Sequence, residues 1–336
     1  MALRIQVARP QRLYGMTATQ ARLIAGLHYG GGGRIMTEQI DPATLTGNLS
    51  GKWYSGYGVA PCPICQTERR KDQNALTINV DGGRLLLHCK KLGCDFRDIL
   101  TAAGITAGTF EIDAMALENA KRQRMDTERK KRDRAKSLWD YSNPIQGTNG
   151  EAYLRGRGIT CALPASLRWL PETFHAPSLQ YQSAMIAKVS PTDAVHRTFF
   201  TKQGVRLDKV PNGAKDGSHK MMLSKCSGGA VRLSDTDGPL VVCEGIETGL
   251  SLLSGLLTGP HTVWAALSTS GIKGLQLPPV VGDLIVAVDN DENGAGQKAG
   301  AELSAKAHAL GWNVSTLAPP DIGQDWNDVL RNEVAA

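Results

Sequence analysis

No stretch of the 336 residues is apolar and long enough to span a bilayer, and residues 1–29 lack the continuous apolar segment of a secretory signal. A cytoplasmic protein with no membrane partner is therefore expected. No G-x-x-x-x-G-K-S/T sequence occurs, which excludes a P-loop ATPase. Charge of one sign does not dominate: the formal net charge is +6, unevenly spread, which suits a polyanionic partner without demanding one. His175, His196, His219, His261 and His308 fall at no metal-binding spacing, and structural roles are expected for them. Cysteines number only seven, and in a reducing compartment they point to metal binding or burial rather than disulfides. The chain is 41% hydrophobic, enough for two or three modules.

What is present is concentrated in residues 240–291. Two short apolar runs each end in an acid: 240–243 (LVVC) delivers Glu244, and 284–288 (LIVAV) delivers Asp289. Runs of this length, alternating with helix-like segments, read as buried parallel strands, and ligands collect where such strands end. Asp291, two residues beyond Asp289, shares its face if the chain stays extended, with Asn290 directed away. Three carboxylates in one crevice call for a divalent cation such as Mg2+ or Mn2+, a combination suited to phosphoryl or nucleotidyl transfer. The plainer alternative is a polar turn closing a strand. Gly245 permits a sharp turn after Glu244, and a helix is expected over 247–257. Residues 263–267 read as a further strand, with Thr269 in the loop at its carboxyl end as a candidate phosphate or metal-water contact. A helix over 296–310 and a strand over 313–317 complete an open parallel sheet.

Residues 51–104 form the second informative stretch. Cys62-Pro63-Ile64-Cys65 and a second pair, Cys89 and Cys94, flank a hairpin with an Asp81-Gly82-Gly83 turn, the layout of a zinc ribbon. Four thiolates satisfy a structural Zn2+ and staple a module whose core is thin. The second pair is separated by four residues, so a set in which His88 replaces Cys89 or Cys94 stays open. Lys52, Trp53, Tyr54, Arg69, Arg70, Lys71, Arg84, Lys90, Lys91 and Arg97 interleave charge with aromatics, as a surface for phosphates and stacked bases would. Phe96, Ile99 and Leu100 are expected on the face of a short closing helix. Before the ribbon, residues 1–50 read as an extension with a short helix over 17–28 and a glycine break at 30–33.

Residues 105–137 form a charged connector, with a solvated helix over 119–136. Leu138 and Trp139 mark the return to packed structure. Residues 138–236 predict a small antiparallel sheet, with strands at 167–170, 183–189, 195–200 and 205–210. Its basic residues Arg197, Lys202, Arg206, Lys209, Lys220, Lys225 and Arg232 are candidates to line a groove for template or nucleotide phosphates, with Arg197, Lys220 and Arg232 preferred. Cys161, Cys226 and Cys243 read as packing residues. The last module, 237–336, ends in a short helix opened by Asp325 and Asp328, which are read either as accessory acids or as caps.

Glu244-Gly245, Asp289-x-Asp291 and Gly294-x-Gly296 together resemble the Toprim domain of bacterial-type primases, topoisomerases and some nucleases. YLRGRGI at 153–159, GGAVRL at 228–233 and DWNDVL at 325–330 resemble phage and plasmid primases in particular, and the cysteine pairs resemble their N-terminal zinc domain. The resemblance implies an α/β chain of zinc ribbon, basic α+β subdomain and Toprim sheet. It also implies primer synthesis from nucleoside triphosphates on single-stranded DNA. Asp289 and Asp291 would bind the metal, and Glu244 would act as ligand or base. Lacking a P-loop, such a primase would rely on a separate helicase. A bacterial cell, with the gene on a phage, plasmid or other mobile element, is the implied setting. A Toprim nuclease and a non-catalytic zinc-dependent DNA-binding or recombination protein are the alternatives.

Overall fold

The computed structural model describes residues 38–335 apart from 69–71, 82–83, 106–109, 113, 211–212 and 214–217. The expected helix and glycine break before residue 34 lie outside the described residues, as do Arg69, Arg70, Lys71 and the two turn glycines. The chain forms two compact units, Met1–Asn119 and Ala120–Ala336.

In the first unit, β1 (Glu38–Ile40) leads into α1 (Pro42–Asn48), whose first N–H groups are capped by Asp41. Strands β2 (Lys52–Tyr54), β3 (Tyr57–Ala60), β4 (Leu76–Asp81) and β5 (Arg84–Cys89) pair antiparallel in sequence order. Alternation along β4 sends Leu76, Ile78 and Val80 inward against Leu85 and Cys89 of β5. Asp95 caps α2 (Phe96–Ala102), whose Ile99 and Leu100 close this core. Phe96, expected on the same face, is exposed, because it lies one turn before the residues that reach the core. Strand β6 (Phe110–Ile112) runs parallel to β1.

Helix α3 (Ala114–Asp140) is solvated, as its charge requires, and Ala135 is its buried residue. It runs past the expected end, so that Leu138 and Trp139 pack from its last turn. Strand β7 (Asn143–Pro144), α4 (Asn149–Gly156), β8 (Leu167–His175), β9 (Gln180–Val189), β10 (Ala194–Phe200) and β11 (Lys220–Leu223) follow. The strands build an antiparallel sheet in the order β11-β10-β9-β8-β7. Every residue of β10 is buried, because Val195 and Phe199 face the core that includes Ala135, while Ala194 and Phe200 face the opposite one. Residues 205–210 are not the expected strand. Arg206 makes one bridge to Phe200, and the chain then turns into a 3-10 segment, Leu207–Lys209, in which the Arg206 guanidinium folds onto Asp208 at 2.6 and 2.8 Å.

The remaining strands, β12 (Val231–Arg232), β13 (Leu240–Cys243), β14 (Thr262–Ala265), β15 (Asp283–Ala287) and β16 (Asn313–Leu317), form an open sheet in the order β12-β14-β13-β15-β16. Four of them are parallel and β12 is an antiparallel edge. Strand β13 is apolar throughout because both its faces are covered: Val241 and Cys243 enter one core, Leu240 and Val242 the other. Helices α5 (Ile246–Ser251), α6 (Thr269–Gly274), α7 (Ala295–Ala309) and α8 (Trp326–Ala335) flank the sheet. The helix expected over 247–257 is shorter: α5 gives way to a π-type turn, Leu252–Leu256, with Gly255 at φ 125°. Among the described residues no helix is long and apolar enough to cross a membrane.

Candidate acidic site and four-cysteine cluster

Strands β13 and β15 are direct neighbours with Cys243 opposite Ala287, so the chain leaves both at one end of the sheet. Glu244 follows β13 immediately. Its backbone carbonyl accepts the Leu267 N–H at 2.8 Å, and its side chain accepts the Thr269 N–H. Thr269 therefore meets the acid through its backbone. Burial and the Asp291 charge raise the Glu244 pKa, against a lowering pull from Lys220.

Asp289 is half-buried, and its Oδ1 is enclosed without a hydrogen-bond partner. Burial first, then the charges of Asp325, Glu244 and Asp291, push its pKa up to about 7, although its carboxylate accepts the Trp326 N–H. Asp291 is exposed at the rim, close to α7: a Cβ added to Gly296 would sit 3.3 Å from its Oδ2. Asn290 turns the other way as the alternation requires, donating from Nδ2 to Pro319 O at 3.0 Å and accepting from Gln297 Nε2 at 2.9 Å. The three acids thus repel one another across a mouth of the sheet. They are held less tightly than the cysteines, which are the one set of three or more His, Cys, Asp or Glu among the described residues with ligand atoms all within 4.8 Å. Asp325 and Asp328 cap α8 through reciprocal hydrogen bonds, and Asp325 also adds its charge to the field at Asp289.

The basic candidates separate. Lys220 on β11 reaches the site, with Nζ 3.4 Å from Glu247 Oε2 and its charge felt at Glu244. Arg197 does not line an open groove: it is 6% exposed, lies over the Phe199 ring, and its pKa is lowered to about 10, chiefly by burial. Lys202 pairs with Glu172 at 3.3 Å in the open, and the exposed Lys209 pairs with the half-buried Asp208 at 3.7 Å. Lys225 is exposed. Arg232 sits on the edge strand β12 over the Trp264 ring, 4.9 Å from its centroid. His196 is buried, and burial, assisted by Lys220, brings its pKa down to about 4.

Sequence reasoning missed Glu247 and its ring of partners. Glu247 is 7% exposed in α5. It accepts from Tyr153 OH at 3.2 Å and faces Arg206 Nη1 at 3.5 Å, and Arg206 Nη1 in turn donates to Tyr153 OH at 2.7 Å. Burial alone would raise the Glu247 pKa, but Lys220, Arg206 and Arg157 outweigh it and hold the group near 2. Arg157 also approaches Asp325 at 4.0 Å. The available signal was a lone charge between Ile246 and Leu250, both of which are buried.

In the first unit Cys62, Cys65, Cys89 and Cys94 converge, with Cys65 Sγ 3.5 Å from Cys89 Sγ. Thiolates about 2.3 Å from a tetrahedral Zn2+ stand about 3.8 Å apart, so the cluster fits that ion. Gln66 Oε1 braces the knuckle by accepting the N–H groups of Cys62 and Ala75 at 3.1 and 2.9 Å. Burial would raise the Cys89 thiol, but the N–H groups of Leu92, Cys94 and Lys91 turn toward it and bring it down to about 6. Gly93, at φ 60°, lets the chain make that turn. His88 is no substitute ligand: it is exposed, on the opposite face of β5 from Cys89. At the β2–β3 turn, Tyr54 and Tyr57 stack at 5.4 Å with Lys52 Nζ 5.5 Å from the Tyr54 ring.

Residues 239–336 match the model of the Toprim domain, and residues 129–233 match that of a domain of unknown function (DUF7146). The chain therefore carries a Toprim domain together with a four-cysteine module fitted to Zn2+. No curated protein matches it. It is similar to a solved structure of the Aquifex aeolicus primase (zinc binding and RNA polymerase domains) at 15% identity, over 89% of this chain and 81% of that one, with a TM-score of 0.36.

Proposed function

We propose that this protein is a DNA primase that makes short primers on single-stranded DNA by nucleotidyl transfer from nucleoside triphosphates. The observation that carries the reading is the convergence of Glu244, Asp289 and Asp291 on adjacent parallel strand ends within a Toprim domain. The partnerless Asp289 Oδ1 and the raised pKa values of Asp289 and Glu244 fit a Mg2+ or Mn2+ ion. Bound there, the ion would supply Lewis-acid stabilisation of charge on the transferring phosphate and the attacking 3′-hydroxyl.

The side chains divide the remaining work. Asp289 and Asp291 would hold the metal, and Glu244 would either join them or accept the hydroxyl proton. Lys220, close to Glu244, is placed to meet triphosphate oxygens. The ribbon, with its Tyr54–Tyr57 stack beside Lys52, supports a role in holding single-stranded template. Unwinding, for which these 336 residues carry no P-loop, would come from a helicase outside them.

The test is template-dependent synthesis on single-stranded DNA with ribo- and deoxyribonucleotides and Mg2+ or Mn2+, comparing wild type with Asp289→Asn. Short products lost in the variant are expected. Template cleavage without added nucleotides would instead identify a nuclease. Binding without any metal-dependent product, unchanged by the substitution, would identify a non-catalytic DNA-binding protein.

A further inference from the structure

Lys220 and Arg157 each stand near both the acidic site and Glu247. Lys220 lowers the pKa of Glu244, yet makes its ion pair with Glu247; Arg157 acts on Glu247 and lies 4.0 Å from Asp325. Glu247 itself is buried in a helix that begins two residues after Glu244, and it is fixed from the other side by Tyr153 and Arg206. A carboxylate so enclosed remains charged only because these cations surround it. In turn it holds Lys220 Nζ at 3.4 Å.

We propose that Glu247 is a positioning residue whose buried carboxylate tethers Lys220 and so keeps its charge from collapsing onto Glu244 and the acids beside it. Without the tether, Lys220 would turn to Glu244, whose carboxylate already feels its charge, and occupy the place of a divalent ion. The tether thus leaves the acids open to metal while holding a cation at their edge. This inference rests on the assignment of a metal to Glu244, Asp289 and Asp291.

The experiment is Mn2+ binding to the full, zinc-loaded chain, read by electron paramagnetic resonance of free Mn2+, with no nucleic acid or nucleotide present. Glu247→Gln, close in shape, should weaken the Asp289-dependent site about tenfold, the weight of one relocated charge in a partly buried site. Adding Lys220→Met to that variant should restore affinity to within about threefold of wild type, because the competing cation is gone. An unchanged affinity in Glu247→Gln, or a loss that the double variant does not repair, would overturn the proposal, since a purely structural role would not be rescued by removing Lys220. Lys220→Met alone supplies a reading independent of whether Glu247→Gln folds: a change below about threefold fits a tethered lysine. A gain of about tenfold or more would mean that Lys220 already covers the acids, and would overturn the tether. Wild type that binds no Mn2+ in an Asp289→Asn-sensitive way would remove the metal assignment and this inference together. Failure of the tether alone leaves wild-type binding intact.

Discussion

Asp325 and Asp328 cap each other: the Asp328 N–H donates to Asp325 Oδ1 at 2.8 Å, and the Asp325 N–H donates to Asp328 Oδ2 at 3.3 Å. This is the reciprocal logic of a capping box, in which two otherwise unpaired donors at a helix start are satisfied by two side chains. It orients α8, whose Trp326 donates from Nε1 to Val288 O at 3.0 Å just ahead of Asp289. Asp328→Ala should therefore cost about 1 kcal/mol of stability, measured by urea unfolding. No loss would mean that the hydrogen bonds do not hold the helix start.

The network around Glu247 predicts a larger cost. Arg206→Met strips Asp208 of its bidentate partner and leaves Glu247 with Lys220 and the Tyr153 hydroxyl. Because Arg206 and Glu247 are both largely buried, the loss should be about 3 kcal/mol, against about 1 kcal/mol for Tyr153→Phe, which removes hydrogen bonds but no charge. Equal effects of the two substitutions in chemical denaturation would contradict the charge argument.

The same region sets a dependence on acid. His196 is buried beside Lys220, Arg197, His219 and Glu247, and burial lowers its pKa from 6.5 to about 4. Between those values the unfolded chain takes up a proton that the folded one refuses, so stability falls as pH drops from 6.5 toward 4, by about 3 kcal/mol over that window. Glu247 works in the same direction at lower pH: its stabilising charge is complete above about 4.5 and is lost as pH falls toward about 2. Unfolding free energies at pH 7 and 4.5 should converge in His196→Gln relative to wild type. An unchanged difference would exclude His196 as the source.

In the ribbon, ligand identity follows from which face of β5 a residue occupies. Replacing any of Cys62, Cys65, Cys89 or Cys94 with serine should abolish stoichiometric zinc, measured by elemental analysis. Chelation should melt the hairpin of β4 and β5, because this core is small. His88→Ala should retain its zinc. Loss of zinc in that variant would place the imidazole in the site.

The open parallel sheet and the delivery of three acids were legible because they rest on local signals: apolar runs with both faces covered, glycines at turns, and a two-residue alternation that separates Asp289 and Asp291 from Asn290. Cysteine spacing was legible for the same reason, and the strand period alone disfavours His88, adjacent to Cys89, as a partner in the cluster. The basic groove was not legible. Arg197 and Lys220 are both basic residues on strands, yet one lies inside the sheet and the other reaches the acids, and only the packing of β9, β10 and β11 distinguishes them. Glu247 was hidden more deeply, since its partners come from positions as distant as Tyr153 and Arg206, and a lone charge between Ile246 and Leu250 does not by itself name them.

Gly296 offers a test of how closely α7 must approach the acids. A Cβ at this position would lie 3.2 Å from Asp289 O and 3.3 Å from Asp291 Oδ2, so the carboxylate or the helix start must yield by a few tenths of an ångström. Gly296→Ala gains helix propensity of about 1 kcal/mol, which offsets the crowding and leaves thermal stability nearly unchanged. The displaced Asp291 should nonetheless weaken the proposed Mn2+ binding and lower the proposed primer synthesis about tenfold, because small misplacements of groups that orient a reaction are costly. Full activity in Gly296→Ala would mean that Asp291 swings freely and is not held in register by the helix behind it. Reduced activity with undiminished Mn2+ affinity would shift the importance of this contact from metal binding to the placement of substrate.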